Sequence, residues 1–192
     1  IPLNENGKDQ ARKTFEYLRN ISFNKAFSSS MHRPYETAQI ILQHNKDLKI
    51  EKINSLVEIS HGLWEGKLET EIREKWPVLL KKWHDKPEEV IMPEGESIKD
   101  VSERSVEAFN EICLSQKDND LSLLVAHDAV NKTLICNIFG INYSNIWMIK
   151  QGNGGITVID LFTDPSKPPV ISALNITTHL GGIIDSTASG AL

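Results

Sequence analysis

Ser28-Ser29-Ser30-Met31-His32-Arg33-Pro34-Tyr35-Glu36-Thr37-Ala38 follows a short apolar run, Ala26 and Phe27, and leads into an amphipathic one through Ala38, Ile41 and Leu42. That order predicts strand, polar loop, helix. Pro34 fits a first helical turn, where its missing N–H leaves no bond unmade. Arg33 then stands beside a helix N-terminus, whose free N–H groups and dipole already favour an anion. Two readings are open at this point. Arg33 is a solvated surface residue, or it is a phosphate ligand.

The chain has 192 residues, enough for one domain with a sizeable core. Hydrophobic residues make up 40%, as in an ordinary globular protein. The net charge of -5 comes without a basic stripe, so nucleic acid is not an expected partner. No apolar run approaches the roughly 20 residues of a membrane span, and no membrane partner is expected. The two cysteines, Cys113 and Cys136, lie among apolar residues in helical patterns and read as core. So few cysteines, without zinc-site spacing, suit a reducing compartment, and a cytoplasmic location is expected.

Working outward, Asn4 can cap a helix running to about Asn20. Ile50 to Val57 alternates as a strand leading to Glu58. Short helices are expected around Glu69–Lys75 and Val78–His84, punctuated by Pro77, Pro87 and Pro93. Ser97-Ile98-Lys99-Asp100 has the form of a capping box and opens a helix to about Ser115. Leu121 to Ala126 is a nearly continuous apolar run, which suits a parallel strand buried on both faces. Asp128 is a candidate N-cap and Gly140 a candidate stop. Gly155–Phe162 and Val170–Asn175 read as a hairpin, and the Gly-, Ser- and Ala-rich tail from Thr177 as peripheral. The alternation predicts a single α/β domain, three layers with a mostly parallel sheet flanked by helices.

His127 ends a strand and precedes a helix, matching Arg33. Ligands of open α/β sheets bind outside such strand ends. His127 is either a structural histidine or the second half of an anion site with Arg33. Glu58, entering a loop with Gly62 and Gly66, is either a solvated loop carboxylate or a proton donor to a leaving alkoxide. Glu58, His61 and Glu65 lack a recognised metal-ligand spacing, so no metal and no cofactor are expected.

At these residues the chain resembles the histidine phosphatase (phosphoglycerate mutase-like) superfamily. Ile1 to Gly7 with Gln10-Ala11 resembles the family's "PLTxxGxxQA" segment, and Ser29 to Ala38 its "SxxxRxxxTA" segment. Leu56 to Gly66 is similar to "LxExxxGxWEG", and Pro93 to Ser97 to "PxGES". Val125-Ala126-His127 resembles the segment of the second catalytic histidine, and Gly152 to Ile156 a late asparagine-containing strand entry. The resemblance implies that Arg33 binds phosphoryl oxygens, Glu58 donates a proton to the leaving group, and His127 stabilises the transferring phosphoryl group. Asn4, Asp128 and Asn153 are expected to line the pocket. It also implies a nucleophilic histidine that becomes a phosphohistidine.

That nucleophile lies in the family's Arg-His-Gly motif on its first strand, ahead of the segment that Ile1 to Gly7 resembles. None of the six histidines stands in such a context. The expectation is therefore an N-terminally truncated domain over 1–192 that lacks the nucleophile and the first strand, and is inactive and poorly stable by itself. Gly66 to Pro93 is short and holds one arginine, Arg73, whereas the cofactor-dependent mutases of the family carry a long basic insertion there. Trp76, Leu79, Leu80 and Trp83 predict a small helical lid over about 66–93. The segment around His127, with the tail, looks most like the C-terminal domain of two-domain cyanobacterial members related to plant carboxyarabinitol-1-phosphate phosphatase. The expected function is hydrolysis of a small phosphorylated metabolite. A phosphoglycerate mutase and a non-catalytic phosphate-binding domain are the alternatives.

Overall fold

A computed structural model describes residues 1–164 and 166–182. Six helices and five strands alternate along it. They are α1 (Glu5–Leu18), β1 (Lys25–Ser29), α2 (His32–Ile41), β2 (Ile50–Ile53), α3 (Glu69–Lys75), α4 (Pro77–Asp85), α5 (Ile98–Ser115), β3 (Ser122–Val125), α6 (Asp128–Phe139), β4 (Ile156–Asp160) and β5 (Val170–Ile176). β1 lies between β2 and β3, parallel to both. β4 and β5 form a separate antiparallel pair.

The connection from β1 through α2 reaches β2 on one side. The next, through α5, passes back to β3 on the other. With both crossovers right-handed, α2 and α5 fall on opposite faces of the sheet, which gives the three layers. The reversal of direction between β2 and β3 makes the carboxyl ends of β1 and β3 the place where such a sheet opens for a ligand.

Local chemistry accounts for the element ends. Asn4 caps α1, its Oδ1 accepting the Gly7 N–H at 2.8 Å. Pro77 opens α4. Gly140 stops α6 at a φ of 65°, a left-handed conformation that glycine adopts without cost. Trp64, Trp83, Leu56, Ile72, Met92, Ile98, Val101 and Val130 are at most 2% exposed and form the centre of the core. The stretch 66–93, expected to be a helical lid, forms α3, α4 and the turn Pro87–Glu89, and it enters this core through Ile72, Leu80 and Trp83.

Several boundaries differ from the sequence expectation. The strand expected over Ile50 to Val57 stops at Ile53 and turns through Asn54–Leu56, so Glu58 sits in a loop and not at a strand end. β3 is half-buried along its length and not covered on both faces, because it is the edge of the three-stranded sheet. Asp128 is the first helical residue of α6, and His127 is the N-cap. Thr177 is buried, and His179 bonds Thr14 on α1 at 3.1 Å, so this stretch is docked and not peripheral. The rest of the tail, beyond Gly182, lies outside the described residues.

α5 begins with the expected capping box. Ser97 Oγ accepts the Asp100 N–H at 3.2 Å, and Asp100 Oδ2 accepts the Ser97 N–H at 2.8 Å and its O–H at 2.6 Å. Ser97→Ala removes the cap and should cost about 1 kcal/mol. The expected readout is a lower midpoint of urea unfolding with an unchanged slope.

Candidate active site

The pairing of β1 with β3 sets Ser28 opposite Val125, so the two chains leave the sheet side by side. Ser29, at the end of β1, is fully buried. Its Oγ accepts the Met31 N–H at 3.2 Å and lies 3.0 Å from Nε2 of His127. His127 is 7% exposed. Burial, then the charges of Arg33 and Arg104, push its imidazole down from the usual histidine value to about 4. The ring is therefore neutral at neutral pH and sits among cations.

Arg33 lies in the first turn of α2, after the extended N-cap residue Met31. It is exposed, yet close enough for its charge to act on His127. Glu58 reaches the other side of this centre. Burial raises its carboxyl above the ordinary value, and the Asp128 charge adds to that, while the N–H groups of Ile59, Ala129 and Asp128 favour the ionised form. Ile59 N–H donates to Glu58 Oε1 at 3.0 Å. Glu58 thus faces the N-terminus of α6, the helix that His127 caps. Asp128 pairs through Oδ2 with Lys132 at 2.8 Å. Its Oδ1 is buried with no hydrogen-bond partner among the described residues.

The structure brings Arg33, Glu58, His127 and Asp128 to one edge of the sheet. Asn4 is occupied as the cap of α1, and Asn153 is exposed in the turn before β4. Neither shares a hydrogen bond with Arg33, Glu58 or His127 among the described residues. Glu65 accepts from Ser60 Oγ at 3.0 Å. Among the described residues, no group of three or more His, Cys, Asp or Glu side chains is arranged to hold a metal ion.

Three participants escaped sequence reasoning. Ser29, which holds His127, entered only as the first residue of the "SxxxRxxxTA"-like segment, with no role of its own. Glu96 entered only within the "PxGES"-like segment, and Arg104 was not singled out. The signal for the last two was their spacing: Glu96 and Arg104 stand eight residues apart on either side of the helix start. The loop carrying Glu58 is wedged against the loop carrying Glu96. A Cβ on Gly95 would meet Ser60 O at 2.4 Å, and Gly62, at a φ of +53°, has room for none beside Pro93 O at 2.1 Å.

Comparison with known proteins gives a consistent result. The family model of the histidine phosphatase superfamily (branch 1) matches residues 1–175. Phosphoserine phosphatase 1 of Hydrogenobacter thermophilus is 32% identical over 179 residues, covering 93% of this chain and 82% of that protein. The 2-carboxy-D-arabinitol-1-phosphatase of Triticum aestivum is 27% identical over 90% of this chain, which spans only 34% of that longer protein. Among solved structures, YhfR of Bacillus stearothermophilus superposes with a TM-score of 0.86 at 25% identity, covering 93% of this chain and 87% of that one.

The buried histidine has a consequence for stability. Its pKa in the fold, about 4, lies below the roughly 6.5 of an unfolded chain, so the unfolded chain binds more protons between these values. The stabilisation is fully present above pH 6.5 and is lost as pH falls through 4. The expected loss is on the order of 2 kcal/mol, each pH unit of depression being worth about 1.4 kcal/mol before relaxation. Unfolding free energies measured from pH 7 to 4 should show this slope, and His127→Asn should remove it.

Proposed function

We propose, from the premise that the chain belongs to the histidine phosphatase superfamily, that Arg33, Glu58 and His127 form the phosphate-holding and proton-donating side of a phosphomonoesterase site. The observation that carries this reading is His127, buried and neutral at the N-terminus of a helix, within reach of the Arg33 charge, while the Arg104 charge nearby is already paired with Glu96. Such a place is short of one anion. A phosphoryl group supplies it, with helix N–H groups and Arg33 as ready partners.

In this reading Arg33 pairs with the phosphoryl oxygens. His127 hydrogen-bonds the group in transfer, and its pKa rises as the negative charge arrives beside it. Glu58, whose raised pKa enlarges its protonated share, donates a proton to the departing alkoxide. The nucleophile of a phosphohistidine mechanism belongs to the Arg-His-Gly motif, which none of the six histidines here occupies. The reading therefore assigns residues 1–192 phosphate binding without turnover. The relatives are named for phosphoserine and for a carboxyarabinitol phosphate, both small phosphomonoesters. The substrate is assigned to that class. A cytoplasmic location belongs to the same reading. No helix of the described residues is long and apolar enough to cross a membrane.

Two measurements test this. Inorganic phosphate titrated into the 192-residue chain should move the ring signals of His127 and raise their titration midpoint above 4. An unmoved His127 would sink the phosphate site. The same chain should release no phosphate from nitrophenyl phosphate or phosphoserine, and steady hydrolysis would refute the missing nucleophile. In a chain carrying the Arg-His-Gly segment ahead of Ile1, release of free phosphate speaks for a phosphatase. Transfer to a second hydroxyl speaks for a mutase, and neither for a binding domain.

Glu58→Gln in that longer chain should slow hydrolysis of an alkyl phosphate by roughly 10²-fold or more, the usual worth of a general acid. Nitrophenyl phosphate, whose leaving group needs little protonation, should lose under about 10-fold. His127→Ala should slow both esters alike. Single-turnover rates of phosphoenzyme formation give the comparison. Equal losses on the two esters for Glu58→Gln would take the acid role from Glu58.

A further inference from the structure

Arg104 lies on α5, one turn and a half past the capping box, and its side chain is 20% exposed. Its Nε donates to Glu96 Oε1 at 2.7 Å and Nη2 to Glu96 Oε2 at 2.9 Å. Nη1 donates to the carbonyls of Ser55 at 2.8 Å and Val57 at 2.7 Å, and Nη2 also to that of Glu58 at 3.3 Å. All five N–H groups of the guanidinium are thereby used. Glu96 extends the grip, its Oε2 also accepting the Ser60 N–H at 2.8 Å. Although burial pushes the Glu96 carboxyl up, the hydrogen bonds from Arg104 and Ser60 and the Arg104 charge hold it below the ordinary value.

The segment from Ser55 to Ser60 has left the sheet, and these carbonyls have no ladder to join. One side chain satisfies three of them, those of Ser55, Val57 and Glu58. The Glu58 carboxyl accepts the N–H of Ile59 at 3.0 Å and meets the N–H groups of Asp128 and Ala129 at the start of α6, a reach that depends on where its backbone is held.

Resting on the reading of Glu58 as proton donor, we propose that Arg104, oriented by Glu96, is the positioning residue that fixes the Glu58 loop and so aims its carboxyl at the N-terminus of α6. Arg104 does this as a five-donor fork and not as a charge. A lysine has three donors on one nitrogen and cannot bridge three carbonyls and both oxygens of a carboxylate. Displacement of an acid by about 1 Å is enough to cost catalysis heavily.

The test is the pH titration of the Glu58 carboxyl by NMR in the 192-residue chain, its signal identified by its loss in Glu58→Gln. In the unaltered chain the midpoint lies above the ordinary carboxylate value. If Arg104 acted as a charge, Arg104→Met would raise the midpoint further, because a nearby cation favours the carboxylate. If Arg104 positions the loop, the freed carboxyl becomes solvated, and the midpoint falls toward the ordinary value. Arg104→Lys, which keeps the charge, should fall as well. Glu96→Gln, which keeps Arg104, should fall by less. Where Arg104→Met does not fold, Arg104→Lys and Glu96→Gln decide. An unchanged or raised midpoint in folded variants overturns the proposal. The phosphate response of His127 in the unaltered chain reports separately on the phosphate site. A silent His127 with a falling Glu58 midpoint therefore removes that reading and leaves the clamp.

Discussion

Four residue pairs between β1 and β3, from Lys25 with Ser122 to Ser28 with Val125, set two strand ends side by side and pointing the same way. Parallel pairing permits this only because α2, β2, α3, α4 and α5 carry the chain back between them. The result is that two helices, α2 and α6, start from one edge of the sheet. Their N–H groups and dipoles face the same space. Arg33 and His127 occupy those starts, and the Ser29 hydroxyl links one strand end to the other. A slip of one residue in this register would turn Ser29 to the opposite face and leave His127 without its partner.

The charges around that edge are arranged to favour an arriving anion. Burial keeps His127 neutral and pushes Glu58 toward its neutral form, the Arg33 guanidinium acts on His127, and that of Arg104 is paired with Glu96. Asp128 is the carboxylate that would repel a phosphoryl group, and it is engaged by Lys132. Each shift has the cause expected for its position. The histidine is desolvated beside cations, and the glutamate is desolvated beside a carboxylate. A site with two titrating groups pushed away from their ordinary values in opposite directions is suited to acid–base work.

The strand–loop–helix around Arg33, the helices α3 and α4, the capping box at Ser97 and the stop at Gly140 were legible because each rests on local chemistry: a proline, a cap or a glycine. The strand end at Ile53 was not, since Val57 and Ile59 continue an apolar alternation past the point where the backbone turns into Arg104. The half-burial of β3 was not legible either. An apolar run specifies a strand, but its neighbours are set by chain crossings far away in sequence. The same limit hid Ser29 and Arg104. A buried serine and a helix arginine carry no distinctive pattern, and their roles exist only across 98 residues in one case and 46 to 49 in the other. Asn4 illustrates the converse. Its family-like segment is explained locally by capping, which already uses its side-chain oxygen.

α3 and α4 are held to the rest of the domain by the same core that supports the sheet. Trp83 is 1% exposed, and its ring meets that of Trp147 at 5.0 Å and that of His61 at 5.9 Å. Trp147 Nε1 donates to the Trp83 carbonyl at 3.0 Å. Lifting α4 away would expose that tryptophan, whose burial removes roughly 200 Å² from water and is worth about 5 kcal/mol. Leu80 adds to the cost. A cost of this size keeps α4 seated on the core, and the Trp83 ring holds Trp147 and His61 against the same wall of the domain.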